Sequence, residues 1–193
     1  MLRSMLLSYL IGSFPNAYLF GRWFGGRDIR RVGSKNVGAT NVVVNVGWLA
    51  GVLTLVGDMG KGYLAALVGG LSSGSVMPYL APAFAIVGHN WPVWLRFHGG
   101  GGLATFVGAC LRLSDWHLAL MGLALWGLLY LFLRDHDKSA VAACVLLPCA
   151  VVAAQQSVET FTFIASSSLA VLLRRVQSIK ERIVRARDNR HFR

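Results

Sequence analysis

Apolar residues form long, nearly continuous stretches of this chain, and short polar segments separate them. Because the apolar positions do not alternate with polar ones, the pattern predicts helices and not the strands of a β-barrel. Several stretches approach the roughly 20 residues that cross a bilayer as a helix. We therefore predict an all-α, polytopic membrane protein with about seven transmembrane helices. The predicted spans are residues 1–23, 48–70, 78–95, 103–113, 117–133, 139–155 and 158–173.

Two of these stretches need comment. Residues 103–113 are too few to cross alone at about 1.5 Å per residue, so we expect this helix to tilt into the bundle or to be lengthened by the preceding loop. The first stretch ends in Gly21-Arg22 without a small-residue cleavage site, which favours a membrane span over a cleaved signal peptide. The spans form one predicted domain, residues 1–173, followed by a basic tail, residues 174–193.

The composition agrees with a membrane protein, since 55% of the 193 residues are hydrophobic and 14% are charged. The formal net charge of +11 could indicate nucleic-acid binding, but the basic residues concentrate near the first loop, residues 24–47, and in the tail. No platform of interleaved aromatic and basic side chains that could stack on bases is evident there, so no nucleic-acid partner is predicted. Basic clusters beside spans are typical of cytoplasmic loops. We therefore predict an outside N-terminus, a cytoplasmic C-terminus and contact of the tail with anionic lipids.

The first loop carries residues of a phosphate-binding kind, in the motif Gly33-Ser34-Lys35-Asn36-Val37-Gly38-Ala39-Thr40-Asn41. Glycines allow backbone N–H groups to converge on an anion, and serine and asparagine side chains add donors. The spacing imitates a nucleotide-binding loop, but Ala39 stands at the position of its phosphate-binding lysine, which argues against a nucleotide. A turn built from glycine and asparagine explains the motif about equally well.

Two ionisable residues, Asp58 and Lys61, lie inside the second predicted span. Residues three apart share one face of a helix, so the two side chains are expected to meet. Ionisable groups within a membrane span are costly and mark a functional interior by default. A structural ion pair that holds the bundle together is the equally favoured alternative.

The segment from Gly88 to Thr105 combines two histidines with a run of glycines. His89 ends a predicted span, where it could act as a proton carrier, a phosphate donor or an interfacial residue. His98 precedes the glycine loop, which we define as Gly99–Gly102. Four glycines in succession are entropically costly, and close approach of the backbone to a ligand is one reason to keep them. A flexible turn between two helices is the other.

Other kinds of chemistry have no support in the sequence. No set of His, Cys, Asp or Glu has metal-ligand spacing, so neither a metal nor another cofactor is predicted. Cys110, Cys144 and Cys149 lie within apolar stretches, which favours thiols in the core or facing lipid over disulfides. The chain contains no Gly-x-Ser-x-Gly elbow.

The ordered motifs resemble those of the bacterial membrane glycerol-3-phosphate acyltransferases that use acyl phosphate as donor, the PlsY family. The resemblance covers roughly residues 10–150, and a run of ordered motifs is specific. The family's seven spans and outside N-terminus agree with the topology predicted from charge. The matching motifs are Gly33-Ser34-x-Asn36-x-Gly38-Ala39-Thr40-Asn41, Gly57-Asp58-x-x-Lys61-Gly62, Gly88-His89-x-x-Pro92 and Phe97-x-Gly99-Gly100-x-Gly102-Leu103-Ala104-Thr105.

The resemblance implies a step of phospholipid synthesis at the cytoplasmic face of the bacterial inner membrane. The 1-hydroxyl of glycerol 3-phosphate attacks an acyl phosphate, giving lysophosphatidic acid and inorganic phosphate. Because acyl phosphate is already activated, positioning and charge stabilisation could suffice without a covalent intermediate. The implied partners are these two substrates and membrane lipids.

The resemblance also assigns roles to residues. Ser34 and His89 are the candidate catalytic residues, and Asp58 and Lys61 support the site electrostatically. The candidate substrate-binding residues are Asn36, Gly38, Asn41, Asp58, Lys61, His98, Gly99, Gly100, Gly101, Gly102, Thr105 and Arg134.

The chain departs from the family at cationic positions. The family's glycine loop usually reads Lys-Gly-Gly-Lys-Gly, so Gly101 lacks its second lysine, and Val44 stands where the family has an arginine. Each charge-assisted hydrogen bond is worth about 1.5–3 kcal/mol, so losing two cations that face a dianion could cost several orders of magnitude in affinity. Lys35 and His98 are candidates to replace them.

Two further departures lie toward the C-terminus. Asp137 stands where a serine is expected, and the tail reads Arg174-Arg175-Val176-Gln177-Ser178-Ile179 where the family has Arg-His-Arg-x-Asn-Ile. Three alternatives to the acyltransferase follow. They are a degenerate homologue that binds lipid or a partner, a paralogue with a different acceptor, and a small-solute transporter that uses the Asp58 and Lys61 pair.

Overall fold

The computed structural model describes residues 1–191, with side chains described as far as Ile183. All regular elements of this part of the chain are helices. They are α1 (Leu2–Ser13), α2 (Asn16–Gly25), α3 (Ala39–Asn45), α4 (Trp48–Gly70), α5 (Met77–Asn90), a short 3-10 helix (Val93–Leu95), α6 (Leu103–Arg112), α7 (Trp116–Leu133), α8 (His136–Ala153) and α9 (Val158–His191).

The first predicted span is two helices instead of one. α1 ends at Ser13, and α2 begins at Asn16. Pro15 explains the break, because proline has no N–H for the helical ladder and keeps the preceding residue out of the α conformation. Phe14 accordingly has an extended ψ of 125°. The break places the side chain of Asn16 in the protein interior, where it is 6% exposed.

The helices at the centre of the bundle pack through small residues. Gly62 of α4 lies against the backbone of Thr105 in α6, and Gly108 of α6 lies against the backbone of Met59 in α4. A side chain at either glycine would separate the two helices, because a Cβ atom would collide with main-chain atoms. Close backbone approach through glycine is the usual packing mode of membrane helices.

The outer surface of the bundle is apolar, as expected for helices that face lipid. α7 buries only Leu118 and Ala119, while Leu120, Leu128 and Phe132 are exposed. Among the described residues, three helices are long and apolar enough to cross a membrane: α4, α7 and α8. α6 has 10 residues, in line with the short segment predicted there.

The last helix extends well beyond the predicted span. α9 runs without interruption from Val158 to His191, so the described part of the tail is helical, which was one of the two conformations considered for it. The first loop also contains a helix, α3, that the glycine and asparagine pattern did not predict. α9 places Arg174 and Arg175 against the glycine loop.

Candidate functional site

Asp58 and Lys61 meet in the bundle interior. Lys61 Nζ lies 2.7 Å from Asp58 Oδ1, and the side chains are 6% and 2% exposed for the lysine and the aspartate respectively. Asn16 Nδ2 donates to the same carboxylate oxygen at 3.0 Å. Gly57 leaves room for this contact, since a Cβ there would lie 2.6 Å from Asn16 Nδ2. The carboxylate is therefore held by one charged and one neutral donor.

His89, near the end of α5, completes this buried cluster. Its Nδ1 lies 3.5 Å from Lys61 Nζ and 3.6 Å from Asp58 Oδ1. Its Nε2 lies on the other side of the ring, against the backbone of Gly100. His89 thus connects the intramembrane ion pair with the glycine loop. A cavity of ≈ 10 Å³ adjoins Asp58, Lys61 and His89, about the space of one water molecule.

The glycine loop folds back onto the end of α5. The amides of Gly99 and Gly100 donate to the carbonyls of Asn90 and His89, each at 3.1 Å. Gly100 also lies against the carbonyl oxygen of Val37 from the first loop. A side chain at Gly99 or Gly100 would collide with backbone or with the His89 ring, so these contacts require glycine. The structure therefore brings the first loop and the glycine loop together.

The start of α6 presents free hydrogen-bond donors. Gly102 precedes the helix with a φ of 80°, a left-handed conformation that favours glycine. Within the described part of the chain, the amides of Gly101 and Gly102 have no hydrogen-bond partner. The first amides of any helix also lack intrahelical acceptors and attract anions. The buried Thr105 hydroxyl has no partner among the described residues either.

Two arginines of α9 also contact the glycine loop. Arg174 donates from Nε to the Gly100 carbonyl and from Nη2 to the Gly99 carbonyl, both at 3.1 Å. Arg175 lies beside Gly101 and donates from Nη1 to Asp137 Oδ1 at 3.0 Å. The helix that carries them is anchored to the end of α5, since Trp91 Nε1 donates to the Gln177 side chain at 2.7 Å.

Asn41 organises the first loop. Its Nδ2 contacts the carbonyls of Ile29, Val32 and Asn36 at 2.9–3.2 Å, and its Oδ1 accepts from the Ser34 amide at 3.2 Å. These hydrogen bonds occupy the Asn41 amide within the loop, and the residue is 5% exposed.

The other predicted residues of the first loop lie nearer the surface. Ser34 is exposed and its Oγ accepts from the Asn36 amide at 3.4 Å. Asn36 is half-buried, and Gly38 caps the start of α3. These residues flank Val37, whose carbonyl oxygen lies against Gly100 of the glycine loop.

Two predicted substrate-binding residues lie away from the buried cluster. His98 is exposed, with Nδ1 2.6 Å from the carbonyl of Arg96. Arg134 is exposed at the C-terminal end of α7. The structure does not bring either side chain into contact with His89, Asp58 or Lys61.

A second acidic residue fixes the base of the first loop. Asp28 pairs with Arg30 through two contacts, at 3.0 Å and 2.8 Å, and the Arg30 guanidinium lies 5.0 Å from the ring centre of Tyr18. The hydrogen bonds from Arg30 lower the pKa of the Asp28 carboxyl. The basic first loop therefore contains one internal carboxylate that neutralises part of its charge.

Sequence reasoning missed three contributors to this arrangement: Asn16, Arg174 and Arg175. A polar residue after Pro15 in an apolar stretch was the available signal for Asn16. The paired arginines at the end of the last span were assigned to lipid contact, and nothing in their spacing indicates the glycine loop. The described residues contain no group of three or more His, Cys, Asp or Glu side chains that could hold a metal ion.

Comparison with known proteins relates this geometry to one family. The sequence profile described as glycerol-3-phosphate acyltransferase matches residues 2–185. Glycerol-3-phosphate acyltransferase 2 of Moorella thermoacetica is 40% identical over 169 residues, 86% of each chain. The glycerol-3-phosphate acyltransferase of Endomicrobium trichonymphae is 35% identical over 185 residues, 95% of this chain and 92% of its own.

Two crystal structures have the same fold. They are forms of PlsY (YgiH), described as an integral membrane glycerol 3-phosphate acyltransferase. The glycerol 3-phosphate form has a TM-score of 0.77 at 28% identity, covering 95% of this chain and 92% of that one. The lysophosphatidic acid form has a TM-score of 0.74 at 26% identity, covering 95% and 91%.

Proposed function

The chain belongs to the glycerol-3-phosphate acyltransferase family, as a membrane enzyme of lysophosphatidic acid synthesis, and we propose that its acyl donor is acyl phosphate. The acceptor is the 1-hydroxyl of glycerol 3-phosphate. The solved relatives are described as glycerol 3-phosphate and lysophosphatidic acid forms, which supports this acceptor and this product.

The position of His89 is the observation that supports placing the reaction at the glycine loop. His89 has its Nδ1 beside the Asp58 and Lys61 pair and its Nε2 against the glycine loop at Gly100. The amides of Gly101 and Gly102, which have no partner among the described residues, follow directly along the chain. A histidine between a buried charge pair and an anion-binding loop can orient a hydroxyl nucleophile beside bound phosphate.

The chemistry needs no covalent enzyme intermediate. The hydroxyl oxygen forms a bond to the acyl carbon, and the bond from that carbon to the phosphate oxygen breaks. The hydroxyl proton passes to the departing phosphate, so the products are lysophosphatidic acid and hydrogen phosphate. Backbone amides and cations near the glycine loop would stabilise the negative charge on the carbonyl oxygen and on the leaving phosphate. We assign His89 and Ser34 to contacts with the acyl phosphate.

An apolar cavity beside the glycine loop supports a fatty acyl donor. The cavity has a volume of ≈ 60 Å³ and lies between α6, α7, α8 and α9. Leu103, which follows the glycine loop directly, forms one of its walls, and Phe106, Trp126 and Leu147 form others. Methylene groups of an acyl chain would gain about 0.8 kcal/mol each on burial, although a lipid environment reduces this gain.

We also propose that the site faces the cytoplasm, with seven spans and an outside N-terminus. Segments that charge assigns to one side contact one another: Val37 meets Gly100, Arg174 meets the glycine loop, and Arg175 meets Asp137. The positive-inside rule favours the cytoplasm for this basic end of the bundle. A fluorescent-protein fusion after Arg193 tests the orientation, since fluorescence is expected only for a cytoplasmic C-terminus.

Acyl transfer is tested directly with membranes that contain the protein. We expect lysophosphatidic acid to form from glycerol 3-phosphate and palmitoyl phosphate, and not from palmitoyl coenzyme A. Product formation from coenzyme A thioester alone would contradict the proposed donor. Uptake of glycerol 3-phosphate into sealed vesicles without acyl transfer would instead favour a transporter.

The role of His89 is tested against a second histidine. His89→Gln is expected to reduce kcat/KM by about 100-fold or more, because the substrates lose a group that positions them for reaction. His117→Gln is the matched control, because His117 is exposed at the start of α7. Equal losses in the two variants would contradict the placement of the reaction at His89.

A further inference from the structure

The backbone of Gly101 lies against a cation that belongs to a distant part of the chain. A Cβ atom on Gly101 would lie 2.5 Å from Nη2, 3.1 Å from Cζ and 3.6 Å from Nη1 of Arg175. All three of its nearest neighbours would thus be guanidinium atoms. The space that a side chain at residue 101 would enter is occupied by Arg175.

Arg175 is held there by a carboxylate of α8. Asp137 is 6% exposed and accepts from Arg175 Nη1 at 3.0 Å. Arg182 also contacts Asp137. Arg174, the preceding residue of α9, donates to two carbonyls of the glycine loop, which fixes the register of α9 against the loop. The guanidinium is therefore preorganised and not free to move into solvent.

Within the described part of the chain, one edge of this guanidinium has no partner. Asp137 takes Nη1, and the Nε of Arg175 is buried without a partner among the described residues. Nε and Nη2 form the side edge of an arginine, which binds two oxygens of a carboxylate or phosphate at once. Nη2 is also the guanidinium atom that would lie nearest to a Cβ on Gly101. A buried arginine donor without an acceptor is costly unless a ligand satisfies it.

The free edge lies beside other anion-binding groups. The amides of Gly101 and Gly102 have no partner within the described residues, and α6 begins at Leu103. A helix N-terminus and an arginine fork together favour a phosphate monoester over a carboxylate or a neutral ligand.

We propose that Arg175 binds the phosphate group of a substrate at the glycine loop, and that this arginine of α9 takes the place of a cationic side chain at residue 101. The inference rests on the proposed function and names the residue that supplies the charge missing from the loop. Arg175 is thus a phosphate-binding residue, and Asp137 is the positioning residue that holds it.

Binding to the purified protein in detergent tests this assignment without acyl transfer. Arg175→Gln is expected to raise the Kd for glycerol 3-phosphate, measured by calorimetry, by about 10- to 100-fold, the loss of one charge-assisted hydrogen-bonded contact. Affinity for glycerol, which lacks the phosphate, should not change. In turnover assays, a rise in KM for glycerol 3-phosphate alone indicates the acceptor phosphate, and a rise for acyl phosphate alone indicates the donor.

Arg182→Gln is the matched control, because Arg182 shares the Asp137 carboxylate and is 57% exposed. The Kd of Arg182→Gln for glycerol 3-phosphate is expected to change less than about fivefold, because removal of an exposed ion pair has little effect. Arg175→Lys keeps the charge but loses the two-donor edge, so an intermediate loss is expected. The double variant Gly101→Lys with Arg175→Gln should recover affinity, because it returns a cation to the same space.

Unchanged affinity for both substrates in Arg175→Gln, or equal losses in Arg175→Gln and Arg182→Gln, would overturn the assignment. Failure of the double variant to bind better than Arg175→Gln would also count against it. A wild-type protein that binds glycerol 3-phosphate through Arg175 but makes no lysophosphatidic acid would overturn the proposed reaction and leave this inference standing.

Discussion

The buried ion pair of α4 gives the sharpest prediction about stability. Lys61 Nζ lies 2.7 Å from Asp58 Oδ1, and neither side chain is more than 6% exposed. Asp58→Asn removes the negative charge and leaves the Lys61 ammonium beside a neutral amide and the His89 ring. Breaking a buried pair by removing one partner typically costs about 3–5 kcal/mol, because the remaining charge is uncompensated.

The expected shift is large enough to measure. At about 2–4 °C for each kcal/mol in a chain of this length, Asp58→Asn should lower Tm by roughly 6–20 °C. Thermal unfolding in detergent can be followed through the fluorescence of the 6 tryptophans. Lys61→Met should lower Tm similarly, because it leaves the Asp58 carboxylate unpaired. Combining the two changes should cost much less than the sum, since the double variant buries no unpaired charge.

Arg31→Gln provides the control for this experiment. Arg31 also contacts an aspartate, at 3.9 Å from Asp28, but its side chain is 85% exposed. Its removal is expected to cost less than about 1 kcal/mol. The reasoning would be refuted if Asp58→Asn melted like Arg31→Gln, or if the costs of Asp58→Asn and Lys61→Met were additive in the double variant.

Three further predictions concern the first loop and the apolar cavity. Asn41→Asp puts a carboxylate oxygen in place of an amide nitrogen that faces three carbonyls. Hydrogen exchange across residues 29–36 should therefore accelerate, and the KM for glycerol 3-phosphate should rise. Unchanged hydrogen exchange would contradict the organising role of Asn41. The pKa of Asp28 is lowered in the folded protein, so its contribution to the free energy of unfolding is present above the unfolded pKa of about 3.8 and is lost as pH falls through the folded pKa. The Tm difference between wild type and Asp28→Asn should therefore shrink on acidification below about pH 4. A Tm difference that grows on acidification would contradict this sign. Gly122→Leu should shorten the preferred acyl chain, because Gly122 lines the apolar cavity and a Cβ there would lie 3.4 Å from Leu147. Activity is compared across acyl phosphates of about 12 to 18 carbons. An unaltered chain-length preference would place the acyl chain outside this cavity.

Much of the fold follows from local patterns in the sequence. The length and continuity of the apolar stretches identify the α4, α7 and α8 spans to within a few residues, because a membrane helix satisfies its backbone within one segment. The break between α1 and α2 was present in the sequence as Pro15, although the pattern was interpreted as one span. The pairing of Asp58 with Lys61 was also predictable, since a spacing of three residues on a helix fixes their proximity.

The motifs predicted which loops matter but not how each residue participates. Ser34, Asn36 and Asn41 belong to one motif, yet the Asn41 amide is occupied by three carbonyls while Ser34 is exposed. The motif spacing carries no information about which donors the loop itself consumes. His89 and His98 are both candidate site residues in the sequence, and the packing of α5 against the glycine loop makes His89 buried while His98 is exposed.

The sequence by itself determined a helical membrane protein with a buried charge pair and glycine-rich loops, because each of these depends on residues close together in the chain. Tertiary structure alone decided what fills the space beside Gly101. Arg175 is far from Gly101 in sequence, and only the docking of α9 against α5 and α8 brings its guanidinium to the glycine loop. Contacts of this kind depend on how whole helices pack. From the sequence, the missing lysine at residue 101 indicated a lost positive charge. In the folded protein, an arginine from another helix lies at that place.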